Sequence, residues 1–146
     1  MKKIMIINGP NLNFLGIREK DIYGNDDYAS ICSYIKERFS DKKVRIDILQ
    51  SNSEGKLIDF LQSAYFRNFD GIVINPGAYT HYSYALFDAI KSISIPTVEV
   101  HLSNIYEREE FRKTSVTAPA CIAQIYGKGK EGYVEAVELL INEKTK

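Results

Sequence analysis

The most constraining feature of the chain is an alternation of short apolar runs with longer stretches of helical periodicity. Five runs are rich in Ile and Val or bounded by Gly and Pro, which is typical of strands that are buried on both faces. They cover residues 4–8, 45–50, 71–75, 97–100 and 121–126. A strand followed each time by a helical segment indicates repeated βα units. We therefore expect an α/β fold whose five-stranded parallel sheet is doubly wound, with helices on both faces.

Five segments are predicted to be helical, and four of them carry an apolar stripe with spacings of three and four residues. Asp27 and Ser53 stand where an N-cap residue is expected. The exception is a short, charged segment, residues 106–113. The others are residues 27–40 with Tyr28, Ile31, Cys32 and Ile35 inward, the segment after Ser53 with Leu57, Ile58, Leu61 and Tyr65 inward, residues 83–92 with Ala85, Leu86, Ala89 and Ile90 inward, and residues 133–142 with Tyr133, Val134, Val137, Leu140 and Ile141 inward.

Length and charge exclude several classes of protein. The chain has 146 residues, with 19 Lys and Arg set against 19 Asp and Glu. That length is typical of one domain, so we expect a single domain over residues 1–146. Nucleic-acid-binding domains usually carry a basic excess, which this chain lacks. No apolar stretch approaches the ~20 residues that span a bilayer, and residues 4–7 are too short a run for a signal-peptide core. We expect a cytoplasmic protein without nucleic-acid or membrane partners.

Two common cofactor signatures are incomplete. Cys32 and Cys121 are far apart and lack CxxC or Cys/His spacing, so we interpret both as small buried apolar residues and expect no metal. Residues 127–132 match the G-x-G-x-x-G pattern after a strand, but a dinucleotide site needs a further strand and an acidic residue about 20 positions on. Only 14 residues follow Gly132. We therefore interpret these glycines as a tight turn.

The first connection of the predicted fold is unusually long. About 18 residues, 9–26, separate the first strand from the first helix, whereas βα loops usually take 2–6. Open α/β sheets bind ligands outside the carboxyl ends of their strands. A long loop at that edge predicts a lid, at about residues 12–26.

Three polar loops follow the first, third and fourth predicted strands. They are residues 8–13 (NGPNLN), 75–81 (NPGAYTH) and 101–104 (HLSN), and they contain both histidines of the chain. A strand order of 2-1-3-4-5 makes these strands neighbours, so the loops share one crevice. Asn, Gly and Pro also make ordinary turns, which is the alternative for any one loop. The coincidence of all three loops favours a site.

Glu99 and His101 are two residues apart on a predicted strand, so their side chains lie on the same face. A carboxylate beside an imidazole fixes its tautomer and orientation, which suits a general acid. A structural salt bridge is the alternative. Arg108 and Arg112 are four apart on the predicted short helix, where like charges repel unless they face an anion. The alternative is a solvated face neutralised by neighbouring glutamates.

Two further pairs contain candidate site residues. His81 and Asp88 are seven apart, which predicts one helix face two turns apart. The long loop contributes Arg18 and Tyr23. A tyrosine phenol is a poor base until a nearby cation stabilises the phenolate, and an arginine five residues away on the same loop can do so.

These residues resemble those of the type II 3-dehydroquinate dehydratases, flavodoxin-like, metal-free enzymes of the shikimate and quinate pathways. The resemblance extends from end to end of the chain at compatible spacing. It rests on residues 7–13 (INGPNLN), Arg18-Glu19, Tyr23-Gly24, residues 50–55 (QSNSEG), 74–81, 99–104, 108–112 (REEFR) and 129–133.

The resemblance implies a mechanism without a cofactor. Tyr23 is the base that removes a C2 proton from 3-dehydroquinate, with Arg18 and Arg108 supporting it. His101, oriented by Glu99, protonates the leaving C1 hydroxyl. Proton abstraction next to a ketone needs a base, an enolate stabiliser and an acid, and these residue types converge at the predicted crevice.

The resemblance also implies the substrate contacts and the assembly. Asn11 and the loop containing Gly77 and Ala78 position a water that holds the enolate. The remaining predicted contacts are Asn75 near the leaving group, the backbone N–H groups of Leu102 and Ser103 at the substrate carboxylate, and His81, Arg112 and Asp88 at the ring hydroxyls. Asp88 reaches in from a neighbouring subunit of a trimer, and four trimers form a dodecamer. The alternatives are a non-catalytic flavodoxin-like module that binds an anionic small molecule, or a structural oligomer.

Overall fold

The computed structural model describes residues 1–17, 20–23 and 26–143, and its centre is a sheet of five parallel strands. The strand order β2-β1-β3-β4-β5 confirms the prediction. All five strands fall where the apolar runs predicted them, with ends that differ by one or two residues. They are β1 Lys2–Asn8, β2 Val44–Gln50, β3 Gly71–Asn75, β4 Thr97–His101 and β5 Ala123–Tyr126.

The pairing register brings particular residues side by side at the carboxyl edge. Asn8 at the end of β1 is the partner of Asn75 at the end of β3. Glu99 on β4 is the partner of Gln124 on β5. Chain order reverses between β1 and β3, the switch point at which open α/β sheets form their ligand crevice.

In the part of the chain that the structure describes, five α-helices accompany the sheet, and side-chain caps fix the start of three. Asp27 Oδ1 accepts a hydrogen bond from the Ser30 N–H. Ser53 and Ser83 Oγ accept in the same way from the N–H groups of Lys56 and Leu86. The caps expected at Asp27 and Ser53 are therefore confirmed. The helices are α1 Lys20–Tyr23, α2 Tyr28–Arg38, α3 Glu54–Phe66, α4 Tyr84–Ile93 and α5 Glu131–Ile141.

Apolar side chains of β1 alternate between two cores. Ile4 and Ile6 pack in the cluster that contains the buried faces of α2 and α5, whereas Met5 and Ile7 pack with those of α3 and α4. Successive residues of a strand point to opposite faces, so one buried strand supplies both layers. All four side chains are fully buried.

The predicted helix over residues 106–113 is wrong. Two 3₁₀ turns, Ile105–Glu107 and Glu110–Lys113, take its place, and Arg108 between them has an extended backbone. A helix of two turns barely repays its nucleation cost unless it buries an apolar face, and this segment is mostly charged. The Asn104 side chain accepts from the Tyr106 N–H and favours a turn instead.

Two predicted inward positions are also wrong. Tyr65 on α3 is exposed, and Ala64 is buried one position before it. Ala85 on α4 is exposed, while Leu86, Ala89 and Ile90 are buried as predicted. In each case a narrower stripe than expected faces the sheet.

The cysteines and the helix lengths add two observations. Cys32 and Cys121 are free thiols and only partly buried. Burial, with the charge of Glu99 as a smaller cause, raises the pKa of the Cys121 thiol to about 12, which disfavours the reactive thiolate. Within residues 1–17, 20–23 and 26–143, no helix is long and apolar enough to cross a membrane.

Candidate active site

A pocket of about 100 Å³ opens at the carboxyl edge of β1, β3 and β4, where the three polar loops meet. The loop after β1 contributes Pro10, Asn11 and Leu12, and the loop after β3 contributes Asn75, Gly77, Ala78 and His81. The segment after β4 contributes His101, Leu102, Ser103, Ile105, Arg108 and Arg112. The structure thus brings together most of the predicted site residues at the predicted crevice.

The loops after β1 and β3 are in direct backbone contact. Gly9 N–H donates to the Asn75 carbonyl at 2.8 Å, and a Cβ at position 9 would lie 2.6 Å from the Pro76 oxygen. Gly77 has φ +60 and lies against Pro10, where an added Cβ would be 3.2 Å from the ring. Glycine is favoured at both positions, because position 9 lacks room for a Cβ and position 77 has a left-handed backbone that strains other residues.

His101 and Glu99 form a buried pair at the end of β4. The His101 Nε2–H donates to Glu99 Oε2 at 2.9 Å, and the two side chains are almost completely buried. A carboxylate accepts hydrogen bonds only, so the proton is on Nε2 and Nδ1 is the ring nitrogen left for the pocket. The prediction that these residues share a face is confirmed.

Glu99 is surrounded by hydrogen-bond donors. Oε2 also accepts from Ser115 Oγ and Gln124 Nε2, each at 2.8 Å, and Oε1 accepts from Thr117 Oγ1. Burial alone would raise the pKa of Glu99. The hydrogen bond and positive charge of a protonated His101, with the bonds from Thr117 and Gln124, nevertheless lower that pKa to about 2. Glu99 is therefore ionised at neutral pH.

His81 lies in the 3₁₀ turn Gly77–His81, and its tautomer is also fixed. Nδ1 is 2.8 Å from the Thr114 carbonyl, an acceptor, so Nδ1 carries the proton and Nε2 remains available. Burial, with the nearby charges of His101 and Arg112, lowers the pKa of His81. A neutral imidazole suits hydrogen bonding to hydroxyl groups.

Two arginines line the pocket, and the exposed carboxylate of Glu109 pairs with both of them. Arg108 Nη1 is 3.4 Å from Ser103 Oγ, and Arg112 Nε pairs with Glu109 Oε2 at 3.1 Å. The two arginines do not share a helix, but the two 3₁₀ turns still direct both to one pocket. Converging guanidinium groups favour an anionic ligand.

The turn over residues 127–132 anchors the loop after β4. Gly127 N–H donates to the His101 carbonyl, and Gly129 N–H donates to the Leu102 carbonyl. In a trans peptide the next N–H points opposite to the carbonyl, so the N–H groups of Leu102 and Ser103 point away from this turn. Both residues line the pocket, where these N–H groups can meet an anion. Gly127 and Gly129 have positive φ, which agrees with the tight turn expected there.

A buried tyrosine connects the ends of β1 and β3. Tyr133 OH donates to Asn8 Oδ1 at 2.5 Å and accepts from Asn75 Nδ2 at 3.0 Å. Asn75 Oδ1 in turn accepts from the Gly77 N–H at 3.2 Å. From sequence, Tyr133 was only one member of an apolar face. Its hydroxyl could be assigned a role only once the register placed Asn8 beside Asn75.

Among the described residues, two predicted site residues do not line the pocket. Glu99 lies behind His101, and Asp88 is exposed on α4. The prediction that His81 and Asp88 share a helix face is wrong, because α4 begins at Tyr84 and His81 belongs to the preceding turn. Arg18 and the side chain of Tyr23 lie outside the described residues.

The hydroxyl and amide donors around Glu99 were not found from sequence. Ser115, Thr117 and Gln124 belong to residue types that are common on any surface, and two of them lie on an irregular segment. Gln124 had one usable signal, since it is paired with Glu99 in the parallel register. That signal needs the strand pairing to be known first.

Neither a metal cluster nor the larger cavity competes with this pocket. Among the residues that the structure describes, no three His, Cys, Asp or Glu side chains are grouped to hold a metal ion. A cavity of about 530 Å³ lies near the amino end of β4, lined in part by Lys2, Lys91 and Pro96. It contains none of the predicted site residues and lies away from the edge where this fold binds ligands.

Comparison with known proteins agrees with the geometry. The chain matches the family model described as dehydroquinase class II over residues 2–141. It is 62% identical over 138 residues to a 3-dehydroquinate dehydratase of Clostridium beijerinckii, covering 94% of each chain.

Solved structures give the same result. The fold superposes on the type II dehydroquinase from Butyrivibrio crossotus with a TM-score of 0.95 and 56% identity, covering 97% of this chain and 98% of that one. For the type II dehydroquinase from Propionibacterium acnes the TM-score is 0.91 and the identity 34%, with the same coverage. The chain therefore belongs to the dehydroquinase class II family, with its flavodoxin-like fold.

Proposed function

We propose that the chain is a hydro-lyase that catalyses the trans-dehydration of 3-dehydroquinate to 3-dehydroshikimate, a step of the shikimate and quinate pathways. Its membership of the dehydroquinase class II family supports this activity. The observation that carries it is the buried His101–Glu99 pair, which faces a pocket with two arginines. A non-catalytic binding module would not need this pair. The relatives of this chain at about 60% identity are named as 3-dehydroquinate dehydratases.

The reaction needs a base at C2 and an acid at the C1 hydroxyl. Tyr23 removes the C2 proton as a phenolate stabilised by Arg18 and supported by Arg108, and an enolate forms at the neighbouring ketone. His101, protonated on both ring nitrogens at this stage, then donates the Nδ1 proton to the C1 hydroxyl, which leaves as water. The protons balance, because one is taken up at Tyr23 and one is given up at His101. The hydrogen bond from His101 Nε2–H to Glu99 supports this part of the scheme, because it turns Nδ1 towards the pocket.

The substrate contacts follow from the donors around the pocket. The carboxylate of 3-dehydroquinate binds the N–H groups of Leu102 and Ser103, which point away from the glycine turn. Asn11 and the loop with Gly77 and Ala78 position a water at the enolate oxygen. Asn75 lies near the leaving hydroxyl. His81, Arg112 and the Asp88 of a neighbouring copy bind the ring hydroxyls.

The segment over residues 12–26 acts as a lid on a single domain. Leu12 and Leu15 are buried and anchor its start, whereas Ile17 and Ile22 are exposed apolar side chains. Exposed apolar groups on the connection that also supplies Leu12 to the pocket support a segment that packs elsewhere when substrate is bound.

Assembly and location complete the proposal. Asp88 is exposed and outside the pocket of its own chain, which supports its use by a second copy in a trimer and a dodecamer of four trimers. Light scattering coupled to gel filtration measures the assembly. The two free thiols agree with a location in the cytoplasm, where thiols stay reduced. The proposed reaction uses no cofactor and no nucleic-acid partner.

The test is a direct assay with the purified chain. Added 3-dehydroquinate should give the conjugated enone of 3-dehydroshikimate, followed by its ultraviolet absorbance. An Arg108→Ala, His101→Ala double variant is the control for contaminating host enzyme. Thermal stabilisation by the substrate with no enone above that control would instead indicate a binding module and would overturn the proposed activity.

A further inference from the structure

Gln124 on β5 lies between the His101–Glu99 pair and the loop that carries Arg108. Its Nε2 donates to Glu99 Oε2 at 2.8 Å, and its Oε1 accepts from the Tyr106 hydroxyl at 2.7 Å. The strand register pairs Gln124 directly with Glu99. One amide on β5 therefore connects β4 with the 3₁₀ turn Ile105–Glu107 that follows it.

The direction of this amide is determined by chemistry. Glu99 is ionised and can only accept, so the NH₂ end of Gln124 must face it. The carbonyl end then faces Tyr106, whose hydroxyl must donate. Each group in the chain from His101 through Glu99 and Gln124 to Tyr106 thus has one possible hydrogen-bond role.

Tyr106 connects this chain to the arginine loop. It lies in the 3₁₀ turn Ile105–Glu107, and Arg108 is the next residue after that turn. The Tyr106 ring also packs edge to face on Tyr126 at 4.9 Å, and the Asn104 side chain accepts from the Tyr106 N–H at 3.0 Å. The phenol is therefore held at ring, backbone and hydroxyl.

We propose that Gln124 is a positioning residue for the dehydration, which aligns Glu99 and His101 and fixes their position relative to the Arg108 loop through Tyr106. The inference rests on the proposed function, because it assumes that His101 is the acid. Gln124 does not line the pocket, so it acts through Glu99. Loss of the Gln124 amide removes one hydrogen-bond donor from Glu99 Oε2, so the Glu99 carboxylate and the His101 imidazole are free to rotate.

Gln124→Met tests the proposal, since it keeps an unbranched side chain and removes both hydrogen bonds. We expect kcat to fall about tenfold while KM stays the same, because the acid loses alignment but the binding groups remain. Gln62→Met, at an exposed position of α3, is the matched control and should leave both constants unchanged. Tyr106→Phe removes only the far hydroxyl and should lower kcat by about threefold.

A spectroscopic signal separates positioning from simple packing. The chain has two histidines, so ¹⁵N shifts of the imidazole rings are easily assigned. With the ring neutral, His101 should be a single Nε2–H tautomer in the unsubstituted protein and a mixture in Gln124→Met. An unchanged kcat and a single tautomer, with only a lower melting temperature, would show that Gln124 is structural and overturn the proposal.

A second variant covers the case in which Gln124→Met does not fold. In Gln124→Glu, a protonated carboxyl can donate to Glu99 and accept from Tyr106, but an ionised one repels Glu99. The ratio of its kcat to that of the unsubstituted protein should rise as pH falls, and a constant ratio contradicts the proposal. If the unsubstituted protein shows no dehydratase activity, the proposed function fails separately, and the tautomer comparison still decides the role of Gln124.

Discussion

The predicted acid of the pocket lies on the sheet, whereas the predicted base belongs to the connection between β1 and α2. Glu99 and His101 end a fully buried strand, and every partner of Glu99 is a fixed donor. The connection is anchored by buried Leu12 and Leu15, but Phe14, Ile17 and Ile22 are exposed. One side is organised before substrate arrives, and the other presents apolar surface to solvent.

The difference follows from what each group must do. A general acid needs one tautomer at one position, and strands deliver side chains with that precision. A base that approaches the opposite side of the ring must also let the substrate enter, which a surface segment permits. Preorganisation and access are thus divided between two parts of the fold, and the predictions below test that division.

The largest expected effect is that of Tyr23→Phe. Loss of the phenol removes the base, so kcat should fall by about 10⁴-fold while substrate still binds. Calorimetric titration measures binding, and the enone assay measures turnover. Tyr65→Phe, at an exposed site on α3, is the control and should be fully active. A near-normal kcat of Tyr23→Phe would show that the base lies elsewhere, and it would contradict the proposed division between the sheet and the connection after β1.

A smaller loss is expected from Glu99→Gln on the acid side. A glutamine is uncharged, so it no longer stabilises the protonated imidazole that donates the Nδ1 proton, and its NH₂ group can turn to Nε2 and compete with that form. We expect kcat to fall by about 10²-fold with little change in KM. Glu110→Gln, an exposed glutamate paired with Lys113, should have no effect. Equal kcat values for Glu99→Gln and Glu110→Gln would mean that turnover does not depend on the His101–Glu99 pair.

Substitution of Arg112 should affect mainly substrate binding. Arg112 lines the pocket, so Arg112→Ala should raise KM by about tenfold and lower kcat less, through loss of one charged hydrogen bond. Its neighbour Lys113 pairs with Glu110 and does not line the pocket, so Lys113→Ala is a matched control. Steady-state kinetics on both variants measures the difference. A similar KM in the two would exclude Arg112 from substrate binding.

The smallest effect concerns stability against pH. The pKa of Glu99 is lowered from 4.5 to about 2, so its ionised form stabilises the folded state above pH 4.5. That contribution is lost as pH falls from 4.5 towards 2, as the carboxylate is protonated. The melting temperature of the unsubstituted protein should therefore approach that of Glu99→Gln on acidification. A constant gap between the two would mean that Glu99 is not held ionised by its donors.

The sequence predicts the sheet well because its signals are local. Short buried runs and the caps at Asp27 and Ser53 need no knowledge of the rest of the molecule, and both are confirmed. The segment around Arg108 has helix-forming composition, yet Asn104 and the lack of an apolar stripe favour 3₁₀ turns. Composition alone does not distinguish these outcomes.

The site likewise contains residues that the sequence predicted and residues that only the structure revealed. The loops carrying Asn75, His81 and His101 were found because strand order brings their ends together. Gln124 and Tyr133 act through hydrogen bonds across strands, and such contacts exist only after the register is set. Tyr23 and Arg18 remain predictions, since they rest on the resemblance and not on contacts.

The contact between Gly9 and Pro76 has a consequence for redesign. The loops after β1 and β3 are separated by less than the width of a methyl group, and Gly77 closes against Pro10 from the other side. A change of substrate specificity that enlarges one loop must therefore move the other as well. Engineering of this pocket is therefore expected to succeed with paired changes in both loops.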